Sequence, residues 1–109
     1  AKLSEVCKVP SLMSKNSSSW AQYTLKLKNR DSLQRKLKEA AIPSVVYYPI
    51  ALSRQAGYRH YPAVSKGVET SELLAKQVLS LPMHPYLSPD AQQIIVTAVR
   101  GLHNNKDLV

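Results

Sequence analysis

Leu79-Ser80-Leu81-Pro82-Met83-His84-Pro85-Tyr86-Leu87, followed at once by Ser88-Pro89-Asp90, is the stretch on which the fold of this 109-residue chain turns. Residues 79–83 leave a helical pattern as an extended segment, and His84, set between Met83 and Pro85, holds a turn rather than doing acid–base work. Ser88 then supplies a cap and Pro89 the first position of a helix, since proline has no N–H to leave unpaired there. Ile94, Ile95, Ala98, Val99 and Leu102 recur at helical spacing and are the expected buried face. Immediately upstream, Thr70 is the expected cap of a helix whose core stripe is Leu73, Leu74, Val78 and Leu81. Glu69 and Glu72 stand near its positive end.

Further out, the periodicity changes. Residues 51–67 contain Gly57, Pro62 and Gly67 without a sustained period, so they read as a long connection of the kind that is often functional. Residues 44–48 are a short β-branched and aromatic run, a buried strand stopped by Pro49. A helix over 31–41 carries Leu33, Leu37, Ala40 and Ala41 on one stripe. Asp31 and Gln34 suggest a capping box, and Pro43 disfavours helical geometry at Ile42. From 19 to 27, Ala21, Tyr23, Leu25 and Leu27 alternate with polar residues, the pattern of a half-buried strand. Residues 1–18 read as a linker with one short strand near 6–9, residues 19–104 as the domain, and 105–109 as a fraying tail. The expected class is α+β: a small, mostly antiparallel sheet packed by about three helices.

Composition bounds the partners. A chain this long buries roughly 65% of its unfolded surface on folding, which suits one core. No apolar run approaches the ~20 residues of a membrane span, so no membrane partner is expected. Cys7 is the only cysteine, and a reducing cytoplasm is the expected compartment. The net charge is +8, and Lys26, Lys28, Arg30, Arg35, Lys36 and Lys38 are opposed in their stretch only by Asp31. A basic binding module for nucleic acid or a nucleotide is one reading. It lacks interleaved aromatics for stacking bases, so a solvated strand edge and helix face is preferred and nucleic acid is not expected. A third reading is a surface that balances acidic surface on a missing part of the protein.

The chemistry-bearing residues form no catalytic or metal motif. His60, His84 and His103 share no metal-type spacing, and there is no nucleophile elbow, phosphate loop or dinucleotide turn. Tyr47, Tyr48, Tyr58 and Tyr61 do gather with Arg54, Arg59 and His60 along one strand end and loop. Aromatic walls, hydroxyls and guanidinium groups suit an anionic, ring-containing ligand. The alternative is that alternate tyrosines pack the core while the arginines are solvated, and composition leaves both open.

Taken in order, Pro10-Ser11-Leu12-Met13, the strand at Trp20, the helix ending at Ile42-Pro43, Tyr48-Pro49-Ile50 with Leu52, and the 79–87 stretch resemble one known family. They are similar to the C-terminal small domain of the DegT/DnrJ/EryC1/StrS sugar-nucleotide aminotransferases. The resemblance covers about residues 9–100 and is nearest to the subgroup acting on 3-keto sugars carried by uridine diphosphate. It implies a fold-type-I enzyme whose missing N-terminal domain binds pyridoxal phosphate through a Schiff-base lysine. Glutamate would give its amino group to a UDP- or dTDP-linked keto-sugar, for surface polysaccharide or deoxyamino-sugar synthesis, and the full-length enzyme would be a homodimer. This chain alone is expected to hold no cofactor and to carry no catalytic residue. Lys66 is read as solvated, because it lies far from where the family's lysine belongs. The resemblance implies that Tyr48, Pro49 and Ile50 line the substrate side. Tyr47 replaces the family's usual histidine, and Ser53 stands where histidine or asparagine is common. With Arg54, the expected substrate-binding set is Tyr47, Tyr48, Pro49, Ile50, Ser53 and Arg54.

Overall fold

A computed structural model describes residues 2–103. The tail expected to fray, and residue 104 of the expected domain, lie outside the described residues. In chain order the elements are β1 (Tyr23–Lys26), α1 (Arg30–Glu39), a 3₁₀ turn (Leu52–Arg54), α2 (Val68–Gln77), β2 (Val78–Leu81) and α3 (Pro89–His103). β1 and β2 are antiparallel, with Tyr23 opposite Leu81 and Lys26 opposite Val78. Two single bridges widen this ribbon: Val45 joins the outer side of β2 at Ser80, and Lys8 joins β1 at Lys26. The α+β class is therefore observed, with helices on a narrow antiparallel sheet.

One face of the sheet makes the core. Leu25, Leu79 and Leu81 meet Leu33 and Leu37 of α1, Ile95 and Val99 of α3, and Leu3 and Ile42. Leu25, Leu33, Leu37 and Leu79 are fully buried, each contributing about 1.5–3 kcal/mol relative to an exposed side chain. The buried residue of α2 is Ala75, which stands apart from this cluster. α2 runs straight into β2 without a loop, because Val78 already has extended backbone (φ −85°, ψ 142°).

Several boundaries differ from those expected, for local reasons. β1 begins at Tyr23 rather than near 19, since Trp20 has φ 50°, a left-handed conformation outside the range of a strand. Only Val45 of the 44–48 run pairs with the sheet, so that run is a one-residue bridge and not a strand. α1 starts at Arg30 with Asn29 at the cap position. Asp31 does not cap it; its carboxylate accepts a hydrogen bond from Arg30 Nε, while Arg30 Nη1 donates to the Val78 carbonyl at 3.0 Å.

The end of α1 is a Schellman motif. Ala41 (φ 56°) donates to the Lys38 carbonyl, and the Ile42 N–H reaches back to the Leu37 carbonyl at 2.8 Å. Ile42 and Leu37, the two residues whose contact accompanies this motif, both lie in the core. Ala40 and Ala41 are consequently exposed, not on the buried stripe.

α2 begins at Val68, ahead of Thr70, which therefore does not cap it. Gly67 occupies the cap position with φ 121°, which an L side chain resists. Leu73 is exposed because α2 buries little besides Ala75. α3 starts as the sequence predicts, with the Ala91 N–H donating to Ser88 Oγ at 3.2 Å. Ile95 and Val99 face the core, but Ile94 is 63% exposed. Leu102, expected on the same face, lies outside the described side chains.

Within the stretch read as a linker, residues 11–19 are exposed, whereas Leu3 is buried. Arg100 clasps this N-terminal segment to α3, donating to the Lys2 carbonyl at 2.8 Å and to Glu5 Oε2 at 2.7 Å.

Candidate substrate-facing site

The site is rooted where Val45 exchanges two backbone hydrogen bonds with Ser80, at 3.1 and 2.8 Å. Ser80 is buried and shares a 2.9 Å hydroxyl contact with Thr24, so this root is fixed on three segments. Beyond it the chain leaves the sheet. Tyr47 and Tyr48, joined by a cis peptide bond, meet edge to face at 5.6 Å and are both exposed. Pro49 and Ile50 continue outward into solvent. The chain then turns back through the 3₁₀ turn, where the Arg54 N–H donates to the Ala51 carbonyl at 2.8 Å.

Two of the six expected residues line hollows, and they line separate ones. Tyr47 lines one of about 230 Å³ together with Pro43, Ser44, Pro82 and Met83. Ser53 lines another of about 570 Å³ with Leu52, Tyr58, Arg59 and Tyr61. Tyr48, Pro49, Ile50 and Arg54 line neither. The tyrosines and arginines of the loop thus do not close on a single pocket within this chain. Nor do they pack the core: Tyr47, Tyr48, Tyr58 and Tyr61 are all exposed. Ser53 Oγ is buried without a hydrogen-bond partner among the described residues, and a buried hydroxyl is costly until it gains one. Tyr61 stacks on His60 at 4.6 Å and approaches Tyr58 at 6.1 Å.

Arg54 is engaged by a residue the sequence did not single out for it. Its Nε donates to Glu72 Oε1 at 2.6 Å and its Nη2 to Oε2 at 3.1 Å. That hydrogen bond holds the Glu72 carboxyl below the usual carboxylate range and raises the Arg54 guanidinium above its ordinary value. The residues are 18 apart in sequence, and no spacing rule connects a 3₁₀ turn to the following helix. Glu69 is likewise held low, because its Oε2 accepts the Gly67 N–H at 2.8 Å.

The basic run does not present a single outward face. Arg30 is buried and turned to Val78, and Lys26 and Lys36 are half-buried. Lys66 is exposed. The backbone carbonyl of His84 closes a turn by accepting the Leu87 N–H at 3.1 Å. Among the described residues there is no group of three or more histidine, cysteine or acidic side chains that could hold a metal ion, and no helix long and apolar enough to cross a membrane.

Comparison with known proteins gives one consistent result. The model of the DegT/DnrJ/EryC1/StrS aminotransferase family matches residues 1–100. The chain is 42% identical over 87 residues to the UDP-2-acetamido-2-deoxy-3-oxo-D-glucuronate aminotransferase of Pseudomonas aeruginosa, covering 77% of this chain and 23% of that protein. It is 37% identical over 79 residues to the UDP-N-acetyl-3-dehydro-alpha-D-glucosamine 3-aminotransferase of Acidithiobacillus ferrooxidans, covering 72% of this chain and 21% of that protein. A crystal structure of a DegT DnrJ EryC1 StrS aminotransferase from Brucella abortus superposes with a TM-score of 0.90 at 45% identity, over 95% of this chain and 28% of that one. The chain therefore spans about a quarter of the length of these relatives.

Proposed function

Since the chain belongs to the DegT/DnrJ/EryC1/StrS aminotransferase family, we propose that it is the C-terminal domain of a sugar-nucleotide aminotransferase. The reaction proposed for the parent enzyme moves an amino group from glutamate to a keto-sugar carried on a nucleoside diphosphate. The two relatives named for UDP-linked 3-oxo or 3-dehydro sugars favour a UDP-linked 3-keto sugar over a dTDP-linked one. Supply of amino sugars to surface polysaccharide, a homodimeric assembly and a cytoplasmic setting complete the proposal.

The observation that carries it is the placement of exposed apolar groups. Tyr48, Ile50, Leu52, Tyr58, Tyr61 and Val64 are each more than half exposed, all within one stretch between the sheet and α2. Exposed apolar side chains concentrated in one segment mark a surface that a ligand or partner commonly covers. A substrate cleft shared with the rest of the parent protein is such a cover. Tyr47, Tyr48, Pro49, Ile50, Ser53 and Arg54 would then face the substrate. The Ser53 hydroxyl would gain the partner it lacks here.

Pyridoxal phosphate, the cofactor of this family, supplies the electron sink for transamination when bound. Its seat is proposed to lie outside this chain. A Schiff-base lysine needs a shielded, desolvated amine, and Lys66 is exposed on a loop. The residues that would hold the cofactor belong to the proposed N-terminal domain. The purified chain alone, dialysed free of unbound cofactor, should show no absorbance near about 400 nm; a coloured, borohydride-reducible sample would refute this. The parent enzyme, given glutamate and a UDP-linked 3-keto sugar, should form 2-oxoglutarate. Failure with that substrate and with its dTDP counterpart would refute the function.

A further inference from the structure

We infer that Glu72 is a positioning residue for the substrate-facing segment: its two-point fork on Arg54 pins that segment to α2 and aims the remaining guanidinium donors at an anionic ligand. The second half of this inference rests on the reading of residues 47–54 as part of a nucleotide-sugar site.

The segment has few other restraints. Its near end is fixed by the Val45–Ser80 bridge. Between that bridge and Arg54, Tyr47, Tyr48, Pro49, Ile50 and Leu52 are all exposed, so packing alone does not hold the path of the chain. The far end is tied by the Arg54 fork, at 2.6 and 3.1 Å. A bidentate guanidinium–carboxylate pair fixes the plane of both groups as well as their separation. A guanidinium has five N–H donors. The fork occupies Nε and one hydrogen of Nη2, which leaves both hydrogens of Nη1 and one of Nη2 on the edge turned away from Glu72. The Arg54 side chain is 69% exposed while Glu72 is 25% exposed, so the anchor is the more sheltered partner and the free edge of Arg54 faces solvent. Glu69, one turn earlier, accepts the Gly67 N–H through Oε2, and its charge opposes that of Glu72. Lys76, which also favours the charged Glu72, supports the carboxylate from the same helix.

The test uses this 109-residue chain for amide hydrogen exchange by NMR, and the parent enzyme for binding of uridine diphosphate as the probe ligand. In Glu72→Gln, exchange at the Arg54 and Gln55 amides should rise about two- to fivefold, the range of a well-oriented exposed ion pair. The Leu25 and Leu79 amides should not change. The uridine diphosphate Kd should rise by a similar factor, Arg54→Ala should weaken binding at least as much, and the double variant should add nothing further. Exchanging the charges (Arg54→Glu with Glu72→Arg) should restore protection of the segment. Unchanged exchange in Glu72→Gln overturns the inference, and faster exchange with an unaltered Kd overturns the aiming of Arg54. If the wild-type parent enzyme does not bind uridine diphosphate while Glu72→Gln still loosens the segment, the nucleotide-site reading falls and the anchoring stands.

Discussion

Replacing Ala41 by glycine is expected to stabilise this domain, although glycine substitutions in and beside helices usually do the reverse. Ala41 sits after α1 at φ 56°, where a Cβ costs an L-residue roughly 1–2 kcal/mol. Glycine removes that cost, but frees the unfolded chain by about 0.4–1 kcal/mol. Ala41 is exposed, so losing its methyl group uncovers no core. The net expectation is a gain of about 0.5–1 kcal/mol, or about 2–6 °C in Tm for a domain of this size. Ala40 is the internal control: its φ is −83°, and Ala40→Gly should lose about 0.5–1 kcal/mol. Paired thermal and urea melts followed by far-ultraviolet circular dichroism read both. If the two adjacent substitutions shift stability in the same direction, the Schellman geometry deduced for this turn is wrong. The turn matters to the site because it directs the chain from α1 through Pro43 to the Val45–Ser80 bridge.

Leu79→Ala should cost about 2–5 kcal/mol in urea denaturation, since it empties a fully buried position in β2. Ile94→Ala, on the exposed side of α3, should stay within about 0.5 kcal/mol; comparable losses would refute the assigned core face. The carboxyls of Glu69 and Glu72 are both held low in the folded chain, by the Gly67 N–H and by Arg54 respectively. Their contribution is therefore present above the ordinary carboxylate value of about 4.3 and is lost as pH falls below it. The Tm of the Glu69→Gln, Glu72→Gln double variant should accordingly fall less steeply between neutral pH and about pH 3 than that of the wild type, and parallel curves would contradict the assignment.

The helices and the extended character of β1 and β2 were legible because each rests on neighbours in sequence, whereas the pairing of Tyr23 with Leu81 joins distant segments. Ser88-Pro89 announced α3, the Leu33–Leu37 spacing set the inward face of α1, and the alternation around Leu25 marked β1. The errors arose where a local rule met a non-local partner. Asp31 has the chemistry of a cap, but Arg30 takes its carboxylate while reaching across to Val78. Ile94 fits the helical stripe of α3, yet the position of α3 on the sheet leaves it outside. Thr70 lost its place to Gly67, whose φ of 121° starts α2 earlier.

For the candidate site, the sequence by itself determined which residue types gather after the 44–48 run and that a long connection follows them. Family resemblance singled out the segment 47–54. Tertiary structure alone decided that Tyr47 and Ser53 line separate hollows. It also decided that Val45 pairs with Ser80, that Lys8 pairs with Lys26, and that Glu72 holds Arg54. The physical reason is range. Capping, periodicity and turn chemistry act over a few residues and are written in local order. Ion pairs, bridges and hollows depend on where distant segments meet once the core leucines have been buried.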